Sequence, residues 1–574
     1  MAVFAARART LHPSEKVARY RDLGYWTDET IDQIFRDQVA RRPDDLALVD
    51  SRGKTALCGL APHRLSWAAL DALVERLAAS LLRTGIRAGD VVGVQLPNIA
   101  ELVATYLAVI RIGGVVSPLP VQYREHELEM LARLAGFDAF VTTSRIRDRQ
   151  NALVVAEVLP DLPVFAFGAG APVGVVHLDG APATPADRAL VAEWPRRTDP
   201  NECVTICWTS GTESAPKAVP RCHYDWLAIS QAPQDGPELT ADDVILNPFP
   251  LVNVESIAGT MLPWLRVGAT YVLHHPFTLP TLVRQIAEEQ VTYTVAPPPV
   301  LALLLHNEEL LRDVDLRSLR AIASGSAPLV PSMVRGWQER LGIAVINMFG
   351  SNEGVCLMSA PADFPDPEVR ARFFPRYGHD GATWSTRVGN QLSLRLVDLE
   401  TEEEITEPGR PGELRVDGPT VFAGYLPGTT DDVPFDDQGY LRTGDVFEIA
   451  GDRRQYLRYV DRRKDLISRD GMTVAPLEVE CLLARHPGVA ESAVVGYPDP
   501  VLGEKACAVV VVRPGVEVDA EELLDHLRRF RIAPYKLPER FVFVDRLPRN
   551  PVGKVTKRSL SERLRTDGLA AEFA

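Results

Sequence analysis

The order of apolar and polar positions predicts strands that alternate with helices over most of the chain. Apolar residues recur at helical spacing over Ala68–Arg83, where Ser66 can cap the helix and Gly85 can end it. The β-branched run Asp90–Leu96 then indicates a strand, and Glu101–Arg111 is helical again. Because this alternation is typical of βαβ units, we predict an α/β fold with mostly parallel sheets flanked by helices.

Two later changes in the pattern predict further parts of the fold. From about Gly412 the chain consists of short strands and turns, which indicates a β-rich subdomain. After Asp461, helices and strands of a smaller α+β unit follow. We therefore predict an N-terminal domain (1–461), a hinge (462–464) and a small C-terminal domain (465–574).

Two segments do not fit either domain. The junction Asp461–Gly471 is polar, charged and ends in glycine, so we interpret it as a hinge rather than an element of either domain. Residues 1–40 are interpreted as an extension with one short helix.

Composition narrows the class of protein. The chain has 574 residues, 46% of them hydrophobic, and a net charge of −15, which argues against a nucleic-acid partner because such proteins carry a basic surface. The most apolar stretch, Leu102–Leu119, is interrupted by Arg111 and two glycines, so it is interpreted as a buried helix and strand rather than a membrane span. No apolar leader is evident, and we predict a cytoplasmic protein without a membrane partner.

One loop is a candidate for binding phosphate. The segment Thr209–Val219 reads TSGTESAPKAV, with hydroxyl side chains around Gly211 and a lysine at position 217. Backbone N–H groups and hydroxyls of such a loop can surround phosphate oxygens, and Lys217 adds a positive charge. The loop is not a P-loop, because Ala215-Pro216 stands where that motif requires glycine next to the lysine.

Four more segments follow this loop, and each alone would be an ordinary turn. They are NMFGSNEG at 347–354, YLRTGD at 440–445, the junction at 461–471 and LPRNPVGKVTK at 547–557. Their order and spacing together resemble the adenylate-forming superfamily of acyl-CoA synthetases, adenylation domains and firefly luciferase. The resemblance covers nearly the whole chain, from Leu65 to its end.

The resemblance implies that the protein uses ATP and Mg²⁺ to activate a carboxylic acid as an acyl adenylate. It also implies a C-terminal domain that rotates between the two half-reactions, with Lys464 at the hinge. The catalytic residues that it implies are Thr212, Glu353 and Lys554, and Glu353 is also the metal ligand. A carboxylate suits Mg²⁺, which prefers oxygen ligands.

The nucleotide-binding residues that the resemblance implies fall into three groups. Those for the phosphates are Thr209, Ser210, Gly211, Thr212 and Lys217. Those for adenine and the α-phosphate are Ser324, Gly325, Ser326, Phe349, Gly350 and Asn352. Those for the ribose are Asp445 and Arg462.

The sequence departs from the superfamily pattern in the phosphate loop and beside the metal ligand. Glu213, Ser214 and Ala218 stand where threonine and glycines are usual, and Asn352 replaces a threonine. These changes leave open an atypical member with another substrate or a non-thiol acceptor. A catalytically silent nucleotide-binding protein is disfavoured, because the implied catalytic and ribose-binding residues are present together.

Two weaker signals concern the identity of the acid. The implied pocket residues are Asn253, Val254, Ile257 and Val355, and an asparagine replaces the histidine that many members carry at position 253. The segment Arg19–Trp26, RYRDLGYW, resembles the opening of aryl-acid and cyclic-acid ligases. For the acceptor, CoA is favoured, and the alternative is a stand-alone acid–AMP ligase that loads a carrier protein.

Overall fold

The computed structural model describes residues 10–178, 182–194, 199–209, 216–307, 314–470, 472–550 and 554–566. These residues form two compact units. The first unit comprises the described residues up to 209, from 216 to 393 and from 417 to 441. The second unit comprises the described residues of 394–416 and 442–566. The predicted domain boundaries at 461 and 465 stay a prediction.

The first unit contains a seven-stranded sheet that is parallel except at one edge. In spatial order its strands are Val176–Leu178, Val164–Phe167, Ala139–Thr143, Val91–Gln95, Val115–Pro118, Cys203–Trp208 and Ala218–Cys222. Only the last pair is antiparallel. This pair encloses the predicted phosphate loop.

An eight-stranded sheet in the same unit also has a parallel centre. In spatial order its strands are Cys356–Ser359, Ala344–Gly350, Ala321–Ser324, Tyr293–Val295, Val244–Asn247, Thr270–Leu273, Leu46–Val49 and Arg64–Ser66. Its two edge pairs are antiparallel and its inner pairs are parallel. The prediction of mostly parallel sheets is thus confirmed. A further short strand of the unit spans Phe374–Pro375.

Helices follow most of these strands, as the alternating pattern predicts. In chain order they span Ser14–Asp22, Ile31–Arg41, Lys54–Cys58, Trp67–Thr84, Ala100–Arg111, Glu125–Ala135, Asn151–Val158, Pro185–Glu193, His223–Ile229, Gln231–Asp235, Val254–Ser256, Leu262–Val267, Leu279–Glu288, Pro298–His306, Pro331–Leu341 and Pro367–Arg372. A π-helical turn spans Ile257–Met261 and a 3₁₀ turn spans Arg387–Asn390. Ser66 Oγ accepts from Ala69 N–H at 3.2 Å and Gly85 is left-handed, so both predicted caps of the Trp67–Thr84 helix are confirmed.

The apolar stretch at 102–119 is part of the core. Every residue of the helix Ala100–Arg111 is buried, and Arg111 is paired with Asp32 at 2.8 Å and Asp71 at 2.7 Å. This pairing explains how an arginine is accommodated at the end of a buried helix. Among the described residues, no helix is long and apolar enough to cross a membrane.

The N-terminal region differs from the prediction of a single short helix. Two helices form, because Thr30 caps the second one and Ile31, Ile34 and Phe35 place a buried apolar face at helical spacing. The RYRDLGYW segment belongs to the same packing: the ring of Trp26 stacks on Tyr224 at 4.6 Å. Its aromatic residues therefore stabilise the first unit, and they do not themselves indicate which acid is bound.

The second unit contains two sheets. The strands Tyr456–Arg462, Leu441–Ala450, Pro411–Asp417, Ser393–Val397 and Glu404–Ile405 form the predicted β-rich part. The other sheet contains Met472–Val474, Ile467–Arg469, Gly503–Val512 and Val489–Asp499, with Arg540–Phe543 paired to Gly503–Val512. The helices are Pro476–Leu483, Ala520–Arg529 and Lys557–Thr566, with 3₁₀ turns at Arg463–Asp465 and Pro534–Lys536.

The predicted hinge segment is more regular than expected. Arg462 is the last residue of a strand, a 3₁₀ turn follows, and Ile467 begins the next strand with a buried side chain. Burial of Ile467 and pairing of 467–469 with 472–474 give its second half a regular structure, and the hinge itself stays a prediction. Gly471 lies outside the described residues.

A buried histidine makes the stability of the first unit depend on pH. Burial lowers the pKa of His223 to about 4, from an ordinary value near 6.5, while its Nδ1 accepts from Ile31 N–H at 3.1 Å. Between these pH values the unfolded chain binds a proton that the native chain does not, so stability falls as pH falls from about 6.5 to 4.

We expect His223→Asn, whose amide oxygen can take the place of Nδ1, to remove this dependence. Between pH 7 and 4 the wild type should lose about 3 kcal/mol more unfolding free energy than the variant, at 1.36 kcal/mol per pKa unit. Urea titrations followed by tryptophan fluorescence measure this, because all 8 tryptophans lie in the first unit. Identical pH dependence in both proteins would contradict the assignment.

Candidate active site

Several predicted site residues lie at the carboxyl edge of the eight-stranded sheet, where open α/β sheets bind ligands. Ser324 ends one strand, and Phe349 and Gly350 end its parallel neighbour, with Ser324 in register with Asn347. A side chain at Gly325 would lie 2.4 Å from the Met348 carbonyl oxygen. Only glycine therefore lets the two strand ends approach this closely.

The loop after Phe349 presents Glu353, the predicted metal ligand. Gly354 has a φ of +128°, and a side chain there would lie 2.4 Å from the carbonyl oxygen of Thr420. The Glu353 carbonyl accepts from Phe422 N–H at 3.0 Å. The loop is thus held against the segment 420–422 by contacts that tolerate no side chain at position 354.

Arg221, which the sequence did not single out, fixes the back of this loop. Its Nε and one terminal nitrogen donate to the Asn352 carbonyl at 2.9 and 2.6 Å, and its other terminal nitrogen donates to the Thr420 carbonyl at 2.8 Å. The side chain is fully buried. It lies on the strand Ala218–Cys222, which begins directly after Lys217. One strand therefore links the predicted phosphate loop to the loop of the predicted metal ligand.

Tyr425 connects Glu353 and Lys217 directly. Its hydroxyl donates to Glu353 Oε1 at 2.9 Å, and the Lys217 ammonium lies 5.2 Å from the centre of its ring. Burial, together with the Glu353 carboxylate, raises the pKa of Tyr425 well above its usual range, so the hydroxyl keeps the proton that it donates. The structure thereby brings two distant predicted residues, Lys217 and Glu353, to one aromatic side chain.

The phosphate loop itself is described only at its ends. Thr209 N–H donates to the Lys217 carbonyl at 3.0 Å, closing the turn between the antiparallel strands. Ser210, Gly211 and Thr212, together with Glu213 and Ser214, lie outside the described residues. Lys217 forms an ion pair with the exposed carboxylate of Asp432, a partner that an incoming phosphate would have to replace.

The Asn352 side chain contacts the segment of the predicted acid pocket. Its Oδ1 accepts from Val254 N–H at 2.8 Å, so the side chain binds the start of the Val254–Ser256 helix. Ile257 opens the π-helical turn that follows, a form that is frequent at functional sites. Asn352 thus positions the predicted acid pocket. Val355 is buried one residue beyond Gly354.

Asn253 has a polar atom that the described residues leave without a hydrogen bond. Within the described part of the chain, its buried Oδ1 accepts no hydrogen bond. Ser324 Oγ is also buried there and neither donates nor accepts one. The Asn253 oxygen therefore satisfies no backbone N–H group of the described residues.

The predicted ribose-binding residues are neighbours in the second unit. Asp445 and Arg462 are opposite each other on antiparallel strands, and Arg462 Nε lies 3.4 Å from Asp445 Oδ1. Glu413, which sequence reasoning missed, accepts from Gly444 N–H at 3.0 Å and holds the strand directly before Asp445. Asp445 is buried, whereas Arg462 is exposed.

Lys464 and Lys554 also lie in the second unit. Lys464 is exposed in the 3₁₀ turn. Lys554 is half-buried, and its N–H donates to Asn550 Oδ1 while its carbonyl accepts from Asn550 N–H, both at 2.9 Å. Asn550 thus fixes the backbone of the predicted catalytic lysine.

Asp461 forms contacts across the predicted hinge. Its carboxylate accepts from Arg462 N–H at 2.8 Å and from Leu477 N–H at 2.9 Å, at the start of the helix Pro476–Leu483. Burial raises the pKa of Asp461, and the nearby ammonium of Lys557 opposes this shift. Rotation about Lys464 would have to break the bond to Leu477.

Comparison with known proteins identifies the family. The sequence matches the model described as AMP-binding enzyme over residues 35–426, and the model of the AMP-binding enzyme C-terminal domain over residues 478–554. The chain belongs to the AMP-binding enzyme family. As an AMP-forming ligase, this AMP-binding enzyme activates a carboxylic acid as an acyl adenylate and transfers the acyl group to a thiol. Ligases of this kind use ATP and Mg²⁺.

Individual relatives of this AMP-binding enzyme are similar over their whole length. The salicyl-AMP ligase / salicyl-S-ArCP synthetase of Mycobacterium tuberculosis is 30% identical, with 96% of this chain and 94% of the relative covered. The medium-chain fatty-acid–CoA ligase of Escherichia coli is 29% identical, with 95% and 92% covered. The crystal structure of ATP-bound MatB from Rhodopseudomonas palustris has a TM-score of 0.73 at 27% identity, with 94% and 99% covered.

The Tyr425 hydroxyl gives a direct test of the Glu353 geometry. Tyr425→Phe keeps the ring beside Lys217 but removes the donor to Glu353. Because a hydrogen bond to a charged group contributes about 1.5–3 kcal/mol, we expect the Mg²⁺ concentration for half-maximal activity to rise roughly tenfold or more. Magnesium titrations of pyrophosphate release measure this.

Tyr440→Phe is the matched control. The Tyr440 hydroxyl is hydrogen-bonded to Ser393 Oγ at 2.9 Å, and Tyr440 lies with Tyr425 in the segment 417–441 of the first unit. Its magnesium titration should match that of the wild type. An unchanged magnesium dependence in Tyr425→Phe would show that the hydroxyl does not position Glu353 for the metal.

Proposed function

We propose that this ligase forms a CoA thioester from a compact aryl or cyclic carboxylic acid, through the residues that the sequence resemblance implies. The observation that carries the assignment of the site is the contact series Lys217–Tyr425–Glu353, which joins the end of the phosphate loop to the metal ligand. In this proposal Phe349 binds adenine, Asp445 and Arg462 bind the ribose, and Lys554 is catalytic.

In the first half-reaction a carboxylate oxygen of the acid attacks the α-phosphorus of ATP. The bond from this phosphorus to the bridging oxygen breaks, and pyrophosphate leaves with that electron pair. Both reactants are anions, so a cation beside the new bond favours the transition state over the separated ground state. Lys554 supplies this charge, and Lys217 faces the departing phosphates once they replace Asp432.

The residues described around Glu353 fit Mg²⁺. Magnesium is commonly bound by one or two carboxylates together with substrate phosphates and waters. The Glu353 carboxylate, held by the Tyr425 hydroxyl, provides such a ligand. When bound there, the ion neutralises phosphate charge. The contribution of Thr212 stays a prediction, since this residue lies outside the described part of the chain.

In the second half-reaction the thiol sulfur attacks the acyl carbon. The bond from this carbon to the phosphate-bound oxygen breaks, AMP leaves with that oxygen, and the thiol proton passes to solvent. The Escherichia coli relative, a CoA ligase by name, supports CoA as the acceptor. The Mycobacterium tuberculosis relative, a salicyl-S-ArCP synthetase by name, supports the alternative of a carrier-protein thiol and also favours an aryl acid.

Lys554→Ala separates the two half-reactions. Loss of the cation should lower acid-dependent pyrophosphate release by roughly 10²–10³, the range for removal of one transition-state contact of this kind. Transfer of the acyl group from a chemically prepared adenylate to the thiol should persist, because that step needs no charge at the α-phosphate of ATP. Rapid-quench measurement of each half-reaction tests this.

Lys536→Ala is the control, since Lys536 pairs with Glu478 at 2.7 Å in the same unit. A Lys554→Ala enzyme with unimpaired pyrophosphate release would contradict the proposed role of this lysine. Repeating the assay over a panel of acids, once with CoA and once with a holo-carrier protein, identifies the acceptor. Thioester formation only with the carrier protein would overturn the assignment of CoA.

A further inference from the structure

Glu255 brings a negative charge to the wall assigned to the acid pocket. It is half-buried on the first turn of the helix that follows Asn253. Ser326 Oγ donates to Glu255 Oε1 at 2.8 Å, which joins this helix to the edge of the eight-stranded sheet. Ser326 has a φ of +68°, a conformation that residues other than glycine rarely adopt. A strained residue thus holds an acidic side chain at the sheet edge where ligands bind.

A carboxylate in this position is unfavourable for a simple organic acid. The substrate already brings one negative charge, and like charges brought together in a pocket repel each other. An ionised carboxylate is also an acceptor only, with about four lone-pair sites over its two oxygens, of which Ser326 uses one. Glu255 therefore retains the capacity to accept from a donor on the ligand.

The other groups of the pocket fit the same kind of ligand. Oδ1 of Asn253, two residues before Glu255, is a second acceptor to which the described residues donate no hydrogen bond. Ile257 and Val355 are buried and apolar. The pocket assigned to the acid thus combines acceptors with apolar surface, and a substrate that fits it needs an N–H or O–H donor on an apolar body.

We propose that the substrate is a carboxylic acid that carries an amino group, and that Glu255 accepts a hydrogen bond from this group. The proposal rests on the proposed function and specifies its substrate class. An amino group fits better than a hydroxyl, because it has at least two hydrogens for the acceptors, and an ammonium also neutralises the charge of Glu255. The same charge disfavours dicarboxylic acids.

The test compares pairs of acids that differ only in an amino or a methyl group, which are similar in size. The pairs are the three aminobenzoates with the three toluates, and aminohexanoate with heptanoate. The measured quantity is the ratio of kcat/KM for pyrophosphate release within each pair. For the preferred pair, the wild type should favour the amino-substituted acid over the methyl-substituted acid by roughly 10- to 100-fold, the range for a hydrogen bond to a charged group.

Glu255→Gln keeps the shape of the side chain but removes its charge, and it should bring this ratio close to one. Glu255→Lys should reverse it and favour a dicarboxylic acid over its methyl analogue. Glu289→Gln is the matched control, because Glu289 pairs with Arg64 at 2.7 Å on the first unit and is no part of the pocket. It should keep the ratio of the wild type.

The outcomes separate this proposal from the proposed function. If kcat/KM for pyrophosphate release is as high or higher with the methyl-substituted acids than with the amino-substituted acids, the role of Glu255 is overturned. Adenylation itself would remain supported. A ratio that Glu255→Gln does not change would also overturn it. Release with no acid of any pair would contradict the proposed function itself, and the substrate class with it.

Discussion

The site depends on one buried guanidinium. Arg221 donates three hydrogen bonds to the carbonyls of Asn352 and Thr420, and it lies on the strand that follows the predicted phosphate loop. Hydrogen bonds from a charged donor are roughly twice as strong as neutral ones, and the buried charge would be costly without them. The strand that begins directly after Lys217 therefore fixes the position of the loop that bears Glu353. Tyr425 then orients the Glu353 carboxylate, and Asn352 orients the helix of the predicted acid pocket.

Most of the fold could be predicted from local pattern. The spacing of apolar residues and the caps Ser66 and Gly85 located the Trp67–Thr84 helix to within a residue at each end, because these signals act over a few neighbouring positions. The same reasoning missed the second helix of residues 1–40, although its signals, the cap Thr30 and the spacing of Ile31, Ile34 and Phe35, are local. It also did not predict the strand that begins at Ile467, because no local pattern reveals that this side chain is buried in the core.

The site was predictable only as a set of motifs. Lys217, Glu353, Asp445 and Lys554 were singled out by their order along the chain, and the structure shows that Lys217 and Glu353 share one partner, Tyr425. The roles of Arg221, Tyr425 and Glu255 could not be predicted, because each acts through a residue 71 to 199 positions away. A single arginine in the apolar strand Ala218–Cys222 was the one available signal, since a charge in a buried strand needs a partner.

The central claim is that an acid oxygen becomes bonded to the α-phosphorus of ATP before the acyl group is transferred. Turnover of an acid labelled with ¹⁸O in its carboxylate, followed by mass spectrometry of the nucleotide product, tests this most directly. The account predicts AMP that carries one ¹⁸O from the acid, because the carbon–oxygen bond breaks when the thiol attacks. Unlabelled AMP, or label in inorganic phosphate together with ADP as the nucleotide product, would contradict it.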